Sequence, residues 1–553
     1  MKSILKIFSE HGTFIQQEAL EYIQTKENPK EFASFLLKNL KEYPLFLTAD
    51  TIKDIEQLNS QQMNITVKTM TSQNIITKEL QKKMFSEVYN KPLTIENDVK
   101  EESNEYGEDE ESYEETSIQS LQRISINTVK GWKPLAKEYE KEIKIIKDVT
   151  GNSTCEGTTD DFVKLFRNRY DILRKFIRSQ RREIAQAVPI GRINKHLSDV
   201  QLIGIVKNIK TTVNGHKCIE LEDETGSTVL IALKNNTEVF SYANEVIVDE
   251  IIGVSGKISK NGDLIIVQNI VFPDIKLQHD KKTADVPVYA AFLSDIHMGS
   301  NTFLKDEWNS FLRWINGDLG NSRQKEVAGK VKYVVLPGDL VDGIGIYPGQ
   351  EKELYIPNIY QQYEALAHQL TLLPDHLTIV LQPGNHDAVR PAEPQPTFEK
   401  EIQDLFSGKD YVFVGNPCTF SLHGVEILSY HGQSLLDFAT NIQHLNYNQP
   451  TEVMKVMLKK RHLAPVYGGY TPLAPEQTDY MIIDRVPDIF VTGHVHISNI
   501  DNYRGVTLIN ASSWQAQTTY QKMLNFIPDS AKLPIVNLQT GNATTMDFSQ
   551  KII

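Results

Sequence analysis

Six times between residues 286 and 515 an apolar run ends in a short polar cluster: VYAAFLSD, KVKYVVLPGD, LTIVLQPGNHD, GVEILSYHG, PDIFVTGHVH and GVTLINAS. Runs that are apolar throughout, rather than alternating, fit strands covered on both faces. Sheets of this kind carry their ligands at the strand ends, where the connecting loops converge. Helical segments alternate with the strands, so residues 285–553 read as an α/β domain whose polar tips can share one site.

The tips repeat one chemistry. In chain order they are Ser294-Asp295-Ile296-His297, Gly338-Asp339, Gly384-Asn385-His386-Asp387, His431 within YHGQS, and Gly493-His494-Val495-His496. Mixed oxygen and imidazole donors suit Mn²⁺, Fe or Zn²⁺. A carboxylate shared by two cations lowers the pKa of a water and clamps both oxygens of an in-line displacement at phosphorus. The glycines let the backbone turn sharply so that the ligands point into one pocket. One D-x-H or G-D alone says little; five such motifs in this order say a great deal. Nine of the 14 histidines lie outside them, among them His11, His368, His376, His423, His444 and His462, and are assigned to the core or the surface.

Upstream the pattern changes. Short β-rich runs between residues 197 and 275, with a hairpin signal at Lys260-Asn261-Gly262-Asp263, suggest a five-stranded OB-type barrel over 191–277. Such a barrel binds single strands or serves as a structural mount, and stacking aromatics are sparse here. Residues 120–190 read as a helical basic segment. In it DDFVKLFRNRYDILRKFIRSQRR places Phe162, Leu165, Phe166, Tyr170, Leu173, Phe176 and Ile177 on one stripe, with eight bases between Lys164 and Arg182. That helix either packs on a neighbouring domain or contacts phosphates. Residues 1–95 show helical periodicity and fit a docking domain, with 96–119 as an acidic, disordered linker.

The net charge of −13, taken alone, argues against a nucleic-acid partner. Yet nine acids and no base sit in EESNEYGEDEESYEE, residues 101–115, so most of that charge belongs to the linker. Cys155, Cys218 and Cys418 are odd in number and far apart, which fits a reducing cytoplasm and excludes a disulfide framework. No apolar run approaches the ~18 residues a membrane span needs. The opening MKSILKIFSEHGTF has no small-residue cleavage site and reads as a helix start rather than a signal peptide.

At the five motifs the chain resembles the calcineurin-like metallophosphoesterase superfamily, over about 286–515. More closely, GDLVDGIGIYPGQEKEL (338–354), YGGYTPLAPE (467–476), VPDIFVTGHVHI and YRGVTLINASSWQAQTTYQKMLNFIP resemble the small subunits of archaeal family D DNA polymerase, over about 160–545. The fold class implied is multidomain α+β: an N-terminal helical unit, an OB-fold barrel and a calcineurin-like phosphoesterase β-sandwich with flanking helices. The resemblance implies a 3′→5′ exonuclease that proofreads for a large catalytic subunit and acts on single-stranded DNA 3′ ends. It implies two divalent ions, Mn²⁺ first, with Fe, Zn or Mg as alternatives. Asp295, His297 and His496 would hold one ion and Asn385, His431 and His494 the other, with Asp339 bridging. His386 would protonate the leaving 3′-oxygen, and Asp387 would orient His386 or cap a helix.

Arg390 is a candidate phosphate contact, and Tyr347 with Pro348 a candidate wall for the terminal nucleotide. Trp514 and Gln517 contact the partner or pack in the core. A sliding clamp is a further candidate partner; Gln521-Lys522-Met523-Leu524 starts like a clamp-binding motif but lacks the closing aromatic pair. Two alternatives stand beside the nuclease: a purely structural subunit without catalysis, and a small-molecule phosphodiesterase or phosphatase.

Overall fold

The computed structural model describes residues 132–194, 197–259, 261–262 and 264–550, together with Phe14, Ile15, Ile23, Phe32, Leu36, Phe46 and Leu47. The acidic stretch and nearly all of 1–95 lie outside the described residues. The chain divides into two compact units, Met1–Gln81 and Lys82–Ile553. In the first, β1 (Phe14–Ile15) and β2 (Phe46–Leu47) pair in parallel, and Ile23 and Leu36 are buried.

The second unit is mixed α and β, with two six-stranded sheets and a small closed barrel. One sheet has the order β12 (Asp410–Phe413), β11 (Thr378–Gln382), β10 (Val331–Pro337), β9 (Tyr289–Phe292), β18 (Lys532–Asn537), β19 (Ala543–Asp547). The other has the order β16 (Ser498–Tyr503), β17 (Val506–Ala511), β15 (Ile489–Thr492), β14 (Val425–Ser429), β13 (Cys418–Leu422), β3 (Ile143–Lys147). The six apolar runs of the sequence are β9, β10, β11, β14, β15 and β17. They form the parallel middle of each sheet, and every residue of β10, β11, β14, β15 and β17 is buried. β3 corrects the helical reading of 120–190: its isoleucines extend the second sheet as an edge strand, antiparallel to β13.

One core lies between the sheets, where Phe292, Tyr333, Val335 and Val380 meet Phe420, Ile427, Ile489 and Val491. A second covers the outer face of the first sheet with α3 (Lys305–Ile315), α4 (Ser322–Lys330) and α5 (Ile359–Thr371). A third covers the second sheet with α6 (Leu435–Asn441) and α7 (Pro450–Lys460). The strands are therefore covered on both faces, which is why their sequences are apolar throughout.

The barrel closes in the order β4 (Asp199–Thr211), β5 (Lys217–Asp223), β6 (Gly226–Ala232), β8 (Ile265–Val271), β7 (Ile251–Ile258), with α2 (Thr237–Glu245) between β6 and β7. Helix α1 (Thr159–Gln180) starts in a capping box between Thr158 and Asp161 and lays Tyr170, Leu173 and Ile177 on Ile203, Ile251 and Val271 of the barrel and Ile482 beyond it. Arg169 is fully buried in this joint. Its guanidinium pairs with Asp479 at 2.8 Å and donates to the carbonyls of Asp249 (3.1 Å) and Pro465 (2.6 Å). Nearby, the buried Lys460 pairs with Glu250 at 2.5 Å. One side chain of the basic helix thus ties barrel and sheets together, while Lys164 and Arg167 pair with Asp160 and Glu224 at the surface.

His462 completes the joint. Its Nδ1 accepts from the Ala464 N–H (3.1 Å) and its Nε2 lies 2.9 Å from Asp479, so the ring is a neutral donor to the carboxylate. Burial, with Arg169 adding to it, lowers His462 to about 4. Burial alone would raise Asp479, but His462 and Arg169 hold it well below the usual carboxylate range. Removing one partner of a buried pair leaves a buried charge, so Arg169→Met is expected to cost about 3–5 kcal/mol in urea unfolding. The unfolded chain binds the His462 proton first, so stability falls as pH drops from 6.5 to about 4, by on the order of 3 kcal/mol. Asp479 adds a further loss below its ordinary 3.8. In His462→Gln the pH dependence of the midpoint between 6.5 and 4 should flatten.

Candidate metal centre

The strand tips meet at one end of the two sheets. Asp295 and His297 follow β9, Asp339 follows β10, Asn385 to Asp387 follow β11, His431 follows β14, and His494 and His496 follow β15. Backbone bonds zip the tips together: Asp295 N–H to the Gly338 carbonyl (3.1 Å), His297 N–H to that of Asp339 (3.2 Å) and Gly493 N–H to that of His431 (2.8 Å). Asp295, His297, Asp339, His494 and His496 all have φ between 50° and 67°. A left-handed backbone costs a non-glycine residue about 1–2 kcal/mol, so these conformations are imposed by their surroundings. The glycines are needed for close approach. A Cβ on Gly493 would lie 1.9 Å from Ser294 Oγ, and one on Gly384 would lie 2.3 Å from Asp339 Oδ1.

The structure brings all seven candidate ligands together. Ligand atoms of Asp295, His297 and His496 lie within 4.8 Å of one another, as do those of Asp339, His431 and His494. His496 Nε2 is 3.2 Å from Asp295 Oδ1 and 3.1 Å from His297 Nε2. His431 Nε2 is 3.0 Å from Asn385 Oδ1 and 3.3 Å from Asp339 Oδ2. Asp339 Oδ2 also lies 3.9 Å from His297 Nε2 and 3.9 Å from His386 Nε2, so it sits between the two groups.

Asp295 and Asp339 are buried, and among the described residues no lysine or arginine pairs with either. Burial would raise Asp339, but His431, His386 and His297 hold it well below its ordinary value. Burial would lower His431, yet Asp339 and Asp295 drive it up to about 10. Burial and His431 push His494 down to about 3, which keeps its lone pair available. Two buried carboxylates among imidazoles form a donor set that suits a divalent cation.

A protein-family model for the B subunits of DNA polymerases alpha and epsilon matches residues 290–499. The DNA polymerase II small subunit of Methanocaldococcus jannaschii is 42% identical over 418 residues, 75% of this chain and 70% of that one. Its counterpart from Archaeoglobus fulgidus is 45% identical over 388 residues, 70% of this chain and 77% of that one. The chain belongs to the small-subunit family of archaeal DNA polymerase II, the family D enzymes. A solved archaeal phosphodiesterase covers 47% of this chain at 13% identity with a TM-score of 0.22, a distance at which the likeness says nothing about activity.

In this small subunit the support around the ligands comes largely from residues that the sequence does not advertise. Asp342 is buried; its Oδ1 lies 3.0 Å from His297 Nδ1 and accepts from the Gln515 amide (2.9 Å). Its carbonyl accepts from His386 Nδ1 at 2.7 Å, so one residue aims two histidines. Gln521 places its amide 3.0 Å from His496 Nδ1. The only sequence signal for Asp342 was its place three residues after Asp339 in GDLVDG.

Asp387 does not bond to the His386 ring. It accepts from the Gly384 (2.9 Å) and Leu340 (3.2 Å) N–H groups and from the Tyr363 hydroxyl (2.9 Å), pinning two tips to α5. Burial and the nearby Asp339 raise it to about 7. Arg390 is engaged within the protein, with Glu476 (2.9 Å), Ser153 (2.6 Å) and the carbonyls of Ala392 and Pro394. Trp514 is buried edge-on against Trp308 at 5.1 Å, and Gln517 donates to the Phe526 carbonyl. Tyr347 bonds to Glu353 and stacks on Tyr520.

Outer partners of this kind are worth about 10–100-fold in metal affinity. Asp342→Asn should weaken Mn²⁺ binding by about that factor, read as free Mn²⁺ by electron paramagnetic resonance, with the melting temperature little changed. Unchanged affinity would mean that Asp342 does not orient His297.

Proposed function

We propose that this chain is the 3′→5′ exonuclease subunit of a family D polymerase, removing 5′-mononucleotides from single-stranded DNA 3′ ends to proofread for a large catalytic subunit. The observation that carries the reading is the buried cluster of Asp295 and Asp339 among four imidazoles, with His386 at its rim 3.9 Å from Asp339. Residues 285–553 would be a calcineurin-like phosphoesterase domain and 191–277 an OB-type mount.

Asp295, His297 and His496 would hold one divalent ion, Asn385, His431 and His494 a second, and Asp339 both; Mn²⁺, Fe or Zn²⁺ suits the donors, and the family resemblance puts Mn²⁺ first. The ions would supply Lewis-acid charge to the phosphate and a water of lowered pKa. The chain's own part falls to His386. Burial would lower this histidine, but Asp339 and Asp342 raise it, and the Asp342 carbonyl fixes the Nδ1 proton. Nε2 is left to give its proton to the 3′-oxygen as the phosphorus–oxygen bond breaks.

In a purely structural subunit the charge of the two buried carboxylates would rest on histidines alone, chiefly His431. His386→Ala is expected to keep the melting temperature and bound Mn²⁺ but to lower mononucleotide release by about 10²–10⁴-fold. Degradation of single strands at the parental rate would remove His386 from the mechanism. Turnover of a phosphomonoester with none of a DNA end would replace the nuclease by a phosphatase.

A further inference from the structure

We propose that Tyr347 and Tyr520 form a stacking platform for the unpaired 3′-terminal base, so that the centre acts on frayed rather than paired ends; this rests on the nuclease reading above. The two rings face each other with centroids 5.8 Å apart and planes 23° from parallel. They come from separate segments, the loop after Asp339 and the short helix α8 (Thr519–Met523). Both are half-buried, so solvent reaches them.

Each segment is fastened to a different side of the cluster. Gln350, three residues after Tyr347, donates to the Asp342 carbonyl (2.8 Å) and carboxylate (3.1 Å), the groups that serve His386 and His297. Gln521, next to Tyr520, contacts His496 Nδ1 at 3.0 Å. The ring positions are therefore tied to the ligand positions. The Tyr347 hydroxyl donates to Glu353 (3.2 Å), which fixes the ring and puts an acid beside it. That acid disfavours a phosphate here and leaves the uncharged base as the occupant. Ile344 and Met523 lie 48% and 65% exposed on the same two segments.

The chemistry fits the task. A stacking face accepts any base, because every base has a π-face, and a proofreading site must remove all four. A base inside a duplex is already stacked and must leave its partner to reach the rings, whereas a mispaired end frays at little cost.

The test uses the full chain in EDTA with a single-stranded oligonucleotide carrying 2-aminopurine at its 3′ end, whose fluorescence falls on stacking. The wild type should quench it. Tyr520→Ala should lose the quench and bind about tenfold more weakly, while Tyr347→Phe, which keeps the ring, should retain both; melting temperatures verify folding. In Mn²⁺ the wild type should favour a terminal thymidine over a terminal abasic residue, and Tyr520→Ala should lose that preference. Quenching that survives in Tyr520→Ala overturns the platform. Cleavage without any base preference in the wild type overturns the platform and leaves the nuclease standing, whereas no cleavage of either end sinks both.

Discussion

Two carboxylates, Asp295 and Asp339, lie buried among imidazoles with no lysine or arginine beside them among the described residues, and the architecture of the strand tips follows from that. Removing a charge from water costs several kcal/mol unless a counter-charge replaces the solvent. Without a cation the burden falls on His431, driven up to about 10, while His494 stays neutral. The left-handed backbone at five of the candidate ligands and the side-chain-free approach at Gly384 and Gly493 belong to this arrangement. Such strain persists because two sheets, closed by cores on three levels, over-determine the tips.

The second rigid feature is the joint between barrel and sheets. Beside the apolar contacts of α1 it holds buried charges: Arg169, Asp479 and His462 in one group, Lys460 and Glu250 in another. Buried pairs of this kind give orientation more than stability. They fix the barrel and α1 relative to the strand tips.

The convergence of the tips was legible in the sequence because aspartate, asparagine and histidine recur where apolar strands end. The parallel strands were legible because full burial removes the polar alternation. What the sequence could not tell was set by tertiary contact. Arg169 is one of six bases on its helix, and only the packing of barrel against sheets singles it out. Asp342 looks like a turn residue until His297 and His386 are seen beside it. Arg390 sat close to a ligand motif and read as a phosphate contact, but Glu476 and Ser153, distant in sequence, take its guanidinium. β3 lies before the barrel in the chain yet pairs with β13, far beyond the barrel in sequence, so no local pattern could assign it to the second sheet.

The central claim is that the strand tips form a two-ion centre with Asp339 shared. Crystals of the full chain grown in Mn²⁺ and measured for anomalous scattering test it directly. Two peaks are expected, one contacted by Asp295, His297 and His496, the other by Asn385, His431 and His494, both reached by Asp339. An empty cluster in a map that shows Mn²⁺ elsewhere on the chain would contradict it.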